Sequence, residues 1–271
     1  MKPTSAGLWC IFAAPFSDDP AKRDELVRLL TDARWPWQPQ LLHASSIPGG
    51  PRTAQVKGKI PRADLAAAIR AALAAPSTAH IELSCSKQFP SNQASIVVDT
   101  GRFSAGWDRV PFELRAQLHV DELPSAAAFA SWISLCHDLV RVVGGVHAVI
   151  PVTAVRHALY DELSLMTTVI DGKLQHPAAP EIKRTQKHRK ELGATYVRPP
   201  RWGNYLGPTA VTAAGGRDRI AAVVQPAVVA EVGSLLYVQL SADVTDALAP
   251  ATEHKRQELA KLLAPVMIPD A

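Results

Sequence analysis

From position 112 to 121, apolar and polar residues alternate without a break. Phe112, Leu114, Ala116, Leu118 and Val120 take one side, and Glu113, Arg115, Gln117, His119 and Asp121 the other. Successive side chains of a strand point to opposite faces, so this run predicts a strand with one apolar face and one polar face, the pattern of an antiparallel sheet whose second side is wet or held by polar contacts. The same period appears where Ile81, Leu83 and Cys85 alternate with Glu82, Ser84 and Ser86, and residues 95–98 supply a short apolar neighbour. Residues 7–16 are almost wholly apolar and read as a buried first strand. They hold Pro15 and run into Ser17-Asp18-Asp19-Pro20 without an Ala-x-Ala site, which argues against a secretion signal.

Between these runs the period lengthens to that of a helix. Asp19-Pro20 is a cap followed by proline at the first helical position, and Leu26, Leu29, Leu30 and Ala33 then share one face. Trp35-Pro36-Trp37-Gln38-Pro39 stops that helix. An alanine-rich helix is predicted over 62–75, ended by Pro76. The clearest helix is 125–143, where Phe129, Trp132, Ile133, Cys136, Leu139, Val140 and Val143 form one stripe and Gly144-Gly145 closes it. A strand over 147–152 and a helix over 153–166 follow. Residues 43–58, rich in Ser, Gly and Pro, read as a loop.

The second half predicts a short helix begun by Gly207-Pro208 and ended by Gly215-Gly216. Apolar strands at 220–224 and 235–240 come next, then a last helix after Thr252 with Leu259, Leu262 and Leu263 inward. Strands and helices do not alternate regularly, so the expected class is α+β: a mixed, mostly antiparallel sheet with packed helices. Residues 171–200 look like a connector, with Pro177 and Pro180, a basic run, and Pro199-Pro200. They divide a 1–170 lobe from a 201–271 lobe, unless the chain is one continuous domain.

Composition narrows the chemistry. The chain has 271 residues, 47% of them hydrophobic, enough for a sizeable core, and no stretch approaches the roughly 20 apolar residues of a membrane helix. The three cysteines are far apart with no Cys-x-x-Cys, which suggests neither a disulfide framework nor a zinc knuckle and makes the cytoplasm the expected compartment. The net charge of +4 is mild, and one concentrated basic run occurs at 183–190. That run reads as a solvated face or, alternatively, a phosphate-binding patch; no aromatics interleave with it.

No metal spacing occurs among the nine histidines. Ser104 sits in a Gly-Arg-Phe-Ser-Ala-Gly turn with Arg102 where a nucleophile elbow needs glycine, and Ser84-x-x-Lys87 lacks its companion Lys-Thr-Gly. No phosphate loop or dinucleotide fingerprint is present, so no catalytic residue, metal or cofactor is assigned. Aromatics beside arginines mark two candidate binding surfaces: Trp35 and Trp37 next to Arg34, and Phe103 and Trp107 next to Arg102 and Arg109. Either group can equally be tucked under its loop. Trp202, after Pro199-Pro200 and beside Gly203 and Gly207, is read first as a core anchor and second as part of a recognition loop.

Trp202-Gly203-Asn204-Tyr205-Leu206-Gly207, the pair Gly215-Gly216, and a late strand containing Tyr237 and Gln239 resemble the C-terminal part of the bacterial type VI secretion immunity family, once a domain of unknown function. That family is close in layout to an immunity group of polymorphic-toxin systems. The similar region spans 197–263. The resemblance implies a non-catalytic cytoplasmic protein that binds and neutralises a cognate secreted toxin. It carries no catalytic or toxin-contacting residues over. The basic charge points away from a nuclease toxin, whose inhibitor is expected to be acidic. The competing expectations are a hydrolase using Ser104 or a histidine, and a nucleic-acid-associated protein using 183–190.

Overall fold

Strand β1 (Ser5–Phe12) is buried along its whole length because both its faces are covered. Ala6, Leu8, Cys10 and Phe12 belong to one apolar cluster, Trp9 and Ile11 to another. In the computed structural model the described residues are 2–12, 19–37, 41–45, 52–57, 62–75, 78, 80–84, 95–99, 112–120, 125–154, 168–170, 173–175 and 187–269.

The sheet grows outward from β1. On one side come β6 (Phe112–His119), β5 (Ser95–Asp99), β4 (His80–Ser84), β2 (Leu41–Ser45) and β3 (Arg52–Lys57). On the other come β7 (Gly145–Ile150), β11 (Gly203–Leu206), β13 (Leu235–Gln239) and β12 (Val228–Val232), and β8 (Val152–Thr153) also pairs with β1. Every pairing between these strands is antiparallel, and a separate hairpin joins β9 (Thr168–Ile170) to β10 (Lys173–Gln175). The class is α+β.

Helices α1 (Pro20–Leu30), α2 (Arg62–Ala74) and α3 (Ala126–Val142) cover one face. Their periodicity explains the placement: Leu65, Ile69 and Leu73 are four apart on α2, and Trp132, Cys136, Leu139 and Val140 follow the α3 stripe. All of these join Leu8, Cys10, Leu83, Ile96 and Leu114 in the largest core cluster. Asp19 caps α1 by accepting from the Ala21 and Lys22 amides, and Ser125 caps α3 through the Ala128 amide. Helices α4 (Pro208–Ala213), α5 (Arg217–Val224) and α6 (Pro250–Leu263) pack on the opposite face of the later strands. There Leu206, Leu236, Val238 and Leu240 meet Ala210, Ile220, Leu259 and Leu263.

Several expectations change. Residues 43–58, expected as loop, contribute to the β2–β3 hairpin, because Leu42 and Ala44 belong to a short strand whose apolar side meets the core. Residues 220–224, expected as a strand, are the last turn and a half of α5, with Ile220 and Val224 inward at helical spacing. The strand follows instead at β12. The final helix begins at Pro250, a proline at the first helical position, two residues before Thr252. Residues 155–166 of the expected helix over 153–166 lie outside the described residues, and Val152–Thr153 is strand. Within 171–200, β10 occupies 173–175, and Leu192, Val197 and Arg198 are buried. Strands from both sides of that segment share the sheet, β7 pairing directly with β11.

Candidate functional site

Strand β11, with its flanks, is the segment 202–207, and its residues are spent on joining β7 to β13. Trp202 is 5% exposed. Its ring meets Phe129 of α3 at 5.6 Å, and its indole N–H donates to Ser241 Oγ at 2.8 Å. A methyl group on Gly203 would stand 3.0 Å from Ile150 Cβ and 3.2 Å from the Tyr237 hydroxyl. Only a residue without Cβ lets the three strands approach so closely here. Gly203→Ala is therefore expected to destabilise the protein by about 1–3 kcal/mol through overpacking, read as a lower urea midpoint with unchanged m. Asn204 is buried and closes the turn before it, accepting from the Arg201 amide at 2.7 Å and donating to the Arg201 carbonyl at 2.8 Å.

Tyr205 is held at both ends by histidines from different elements. Its hydroxyl lies 2.8 Å from His137 Nδ1 on α3, and its carbonyl lies 3.0 Å from His147 Nδ1 on β7. His147 Nε2 accepts the Arg198 amide at 3.2 Å, so Nδ1 carries the proton, donates to the carbonyl, and the ring is neutral. Burial pushes the pKa of His147 down to about 4, and burial with the nearby Arg141 does the same to His137. Burial pushes the Tyr205 and Tyr237 phenols up, which keeps both as donors. Tyr237 Oη donates to Gln239 Oε1 at 3.0 Å, and Gln239 Nε2 donates to the Ser241 carbonyl at 2.8 Å. Gly215 and Gly216, at φ of +85° and +93°, make the turn between α4 and α5. Leu206 enters the cluster under α4 to α6, and Gly207 passes the Val146 carbonyl.

The polar side of β6 is the second unusual region. Glu113 is 1% exposed, and its Oε1 accepts the Trp9 indole N–H at 3.0 Å. Arg115 stands 3.9 Å from Glu113 Oε2, and the Arg198 guanidinium lies 4.8 Å over the Trp9 ring. The His147 ring meets Trp9 edge-on at 5.9 Å. Trp9 thus sits between a carboxylate and a guanidinium on a covered sheet face. Alternation identified that face as polar, but Trp9 was hidden in an apolar run and Arg198 in the expected connector. Ser5 Oγ and His119 Nδ1, across the same face, are 3.5 Å apart with Ser5 1% exposed. Among the described residues no cluster of His, Cys, Asp and Glu is arranged to hold a metal ion.

The aromatics proposed as a binding surface divide. Trp35 is 7% exposed, its indole N–H donates to the Leu29 carbonyl at 2.8 Å, and Trp37 packs on it with ring centroids 5.7 Å apart. Trp35 is thus in the core, not on a surface, because the chain turns back after α1 and lays the ring on the helix end. Arg34 bonds Asp32 at 2.9 Å and Asp138 of α3 at 2.8 Å, which fastens this turn. Arg102, Phe103, Ser104, Trp107 and Arg109 lie outside the described residues, as do 183–186 of the basic run. Lys187 and Lys190 are exposed, and His188 bonds Glu191 at 2.8 Å while its ring meets Tyr196. No helix among the described residues is long and apolar enough to cross a membrane.

No protein-family model matches the chain, and no curated protein matches it. Among solved structures it is similar to a Pseudomonas aeruginosa T6SS protein at 12% identity and a TM-score of 0.60, over 98% of this chain and 73% of that one. At that identity the likeness is one of fold.

Proposed function

We propose that this chain is a non-catalytic, T6SS-associated immunity protein of the cytoplasm, which binds a cognate secreted toxin and neutralises it by contact. The observation that carries this reading is the fold shared with a T6SS protein across 98% of the chain. The resemblance of residues 197–263 to an immunity family points the same way. The motif residues of the β11 and β13 segments are consumed by packing: Trp202, Gly203, Leu206, Tyr237 and Gln239 are all buried, while Gly215 and Gly216 make the turn between α4 and α5. The toxin therefore contacts other residues, and those motif residues are the scaffold that positions them.

Neutralisation by contact needs an interface of roughly 1,200–2,000 Å² built on a few anchors. Cells that express a toxin encoded beside this protein are expected to survive only when this protein is present, and the two chains are expected to co-purify at fixed stoichiometry. Protection without a complex, or a lethal toxin despite abundant folded protein, sinks the reading.

A further inference from the structure

Among the described residues the sheet ends at β12, which pairs with β13 on one side only. Its sequence is Val228-Val229-Ala230-Glu231-Val232, with Val228 37% exposed and the Glu231 side chain 78% exposed. The direction of its backbone groups follows from the neighbouring ladder. The Leu240 amide donates to the Trp202 carbonyl, so Leu240, Val238 and Leu236 bond toward β11. Gln239, Tyr237 and Leu235 then bond toward β12, where their partners are Val228, Ala230 and Val232. The Gln239 carbonyl accordingly accepts from the Ala227 amide at 2.8 Å. The N–H and C=O groups of Val229 and Glu231 are left pointing outward from the sheet.

We propose that β12 is a self-pairing edge: two copies of the chain join antiparallel about a two-fold axis through Ala230, with Arg217 of each copy facing Glu231 of the other. The register is set by parity. Outward residues must oppose outward residues, and pairing Val229 with the second copy's Glu231 does this twice, giving four backbone hydrogen bonds. Val228 then lies opposite Val232, and Ala230 opposite itself, forming a small apolar row on one face.

The charges select a copy over any other strand. Arg217, at the start of α5, reaches the Val229 carbonyl with Nη2 at 3.3 Å and stands 3.7 Å from Glu231 in its own chain. Residues directly opposite in an antiparallel pair share a face, so the second copy's Glu231 arrives beside Val229 on the side that Arg217 occupies. A strand lacking this pattern would cover Glu231 and Arg217 without offering either a counter-charge, which is how charged edges deter unspecific pairing. A second copy supplies both. The strand interface falls below the area of a stable complex, so the dimer is weak and depends on concentration.

The test is sedimentation velocity over a concentration series on the full chain and on Arg217→Glu, Glu231→Arg and Val229→Pro, each confirmed folded by circular dichroism. Wild type is expected to shift from monomer to dimer. Each charge variant alone is expected to need about tenfold more protein, since like charges then meet across the axis. Val229→Pro, which removes an outward N–H and no bond to β13, is expected to stay monomeric. An equimolar mixture of Arg217→Glu and Glu231→Arg is expected to dimerise again. Within each variant chain the two side chains still repel, so only contacts between chains account for that recovery. A wild type that stays monomeric throughout, charge variants that associate like wild type, or a mixture that does not recover each overturn the proposal.

Discussion

Trp202→Ala is expected to lower stability by about 3–5 kcal/mol, the cost of removing a large ring from a packed core. The ring is 5% exposed and lies against Phe129, which in turn packs on Trp132 at 5.5 Å. Truncation leaves a cavity between α3 and the 239–241 segment, and it strands Ser241 Oγ, whose other contact is the Asp243 carbonyl at 2.8 Å. The damage extends beyond one contact because Trp202 stands immediately before the strand that links β7 to β13. Trp202→Phe keeps most of the volume and loses the hydrogen bond, so it is expected to cost markedly less. Urea unfolding of the three proteins decides the matter. An unchanged midpoint in Trp202→Ala, with partner binding lost, would instead make this residue a contact and not an anchor.

What made Trp202 legible was local: two prolines, a large aromatic and flanking glycines in one short segment. Helices were legible for a related reason. The caps Asp19 and Ser125 and the stripe on α3 are all written within a few residues of one another. The misread segments were those whose burial is decided from afar. Residues 41–45 are too few to display a period, and they become a strand because Leu42 finds Leu83 across the ladder. Residues 217–224 hold an apolar run of five, 220–224, that suits a strand as well as a helix. Packing of Ile220 and Val224 against α6 favours the helix, and the strand moves to 228–232 beyond a left-handed Gln225. The polar alternation of β6 gave the face but not its contents. Nothing near Glu113 in the chain announces that Trp9, over a hundred residues earlier, will donate to it, or that Arg198 will lie on that ring.

Lowering the pH from 7 to 4.5 is expected to destabilise the fold before its carboxylates protonate, through His147 and, more weakly, His137. Both have pKa values pushed down to about 4, below the ordinary 6.5 that they regain on unfolding. Between those limits the unfolded chain binds protons that the folded chain refuses, so stability falls as pH falls. The loss begins near pH 6.5 and is complete for these groups near pH 4. For His147, wholly buried, the slope approaches ~1.4 kcal/mol per pH unit and the total ~3 kcal/mol. His137 is partly exposed and adds less. The refusal is geometric. A proton on His147 Nε2 would point at the Arg198 amide that now donates to it, beside the Arg198 guanidinium that already disfavours the charge. The ion pairs of Arg34 with Asp32 and Asp138 act in a different window, since those carboxylates are held below their ordinary pKa and surrender their contribution only at still lower pH. Urea midpoints at half-unit steps from pH 7 to 4.5 measure the slope. In His137→Gln the amide oxygen can still accept from Tyr205 while the titration is gone, so the slope is expected to lessen. In His147→Leu it is expected to lessen more, whatever the variant's overall stability. A wild-type curve that stays flat to pH 4.5, or slopes unaltered in both variants, would show that neither ring is kept neutral by the fold.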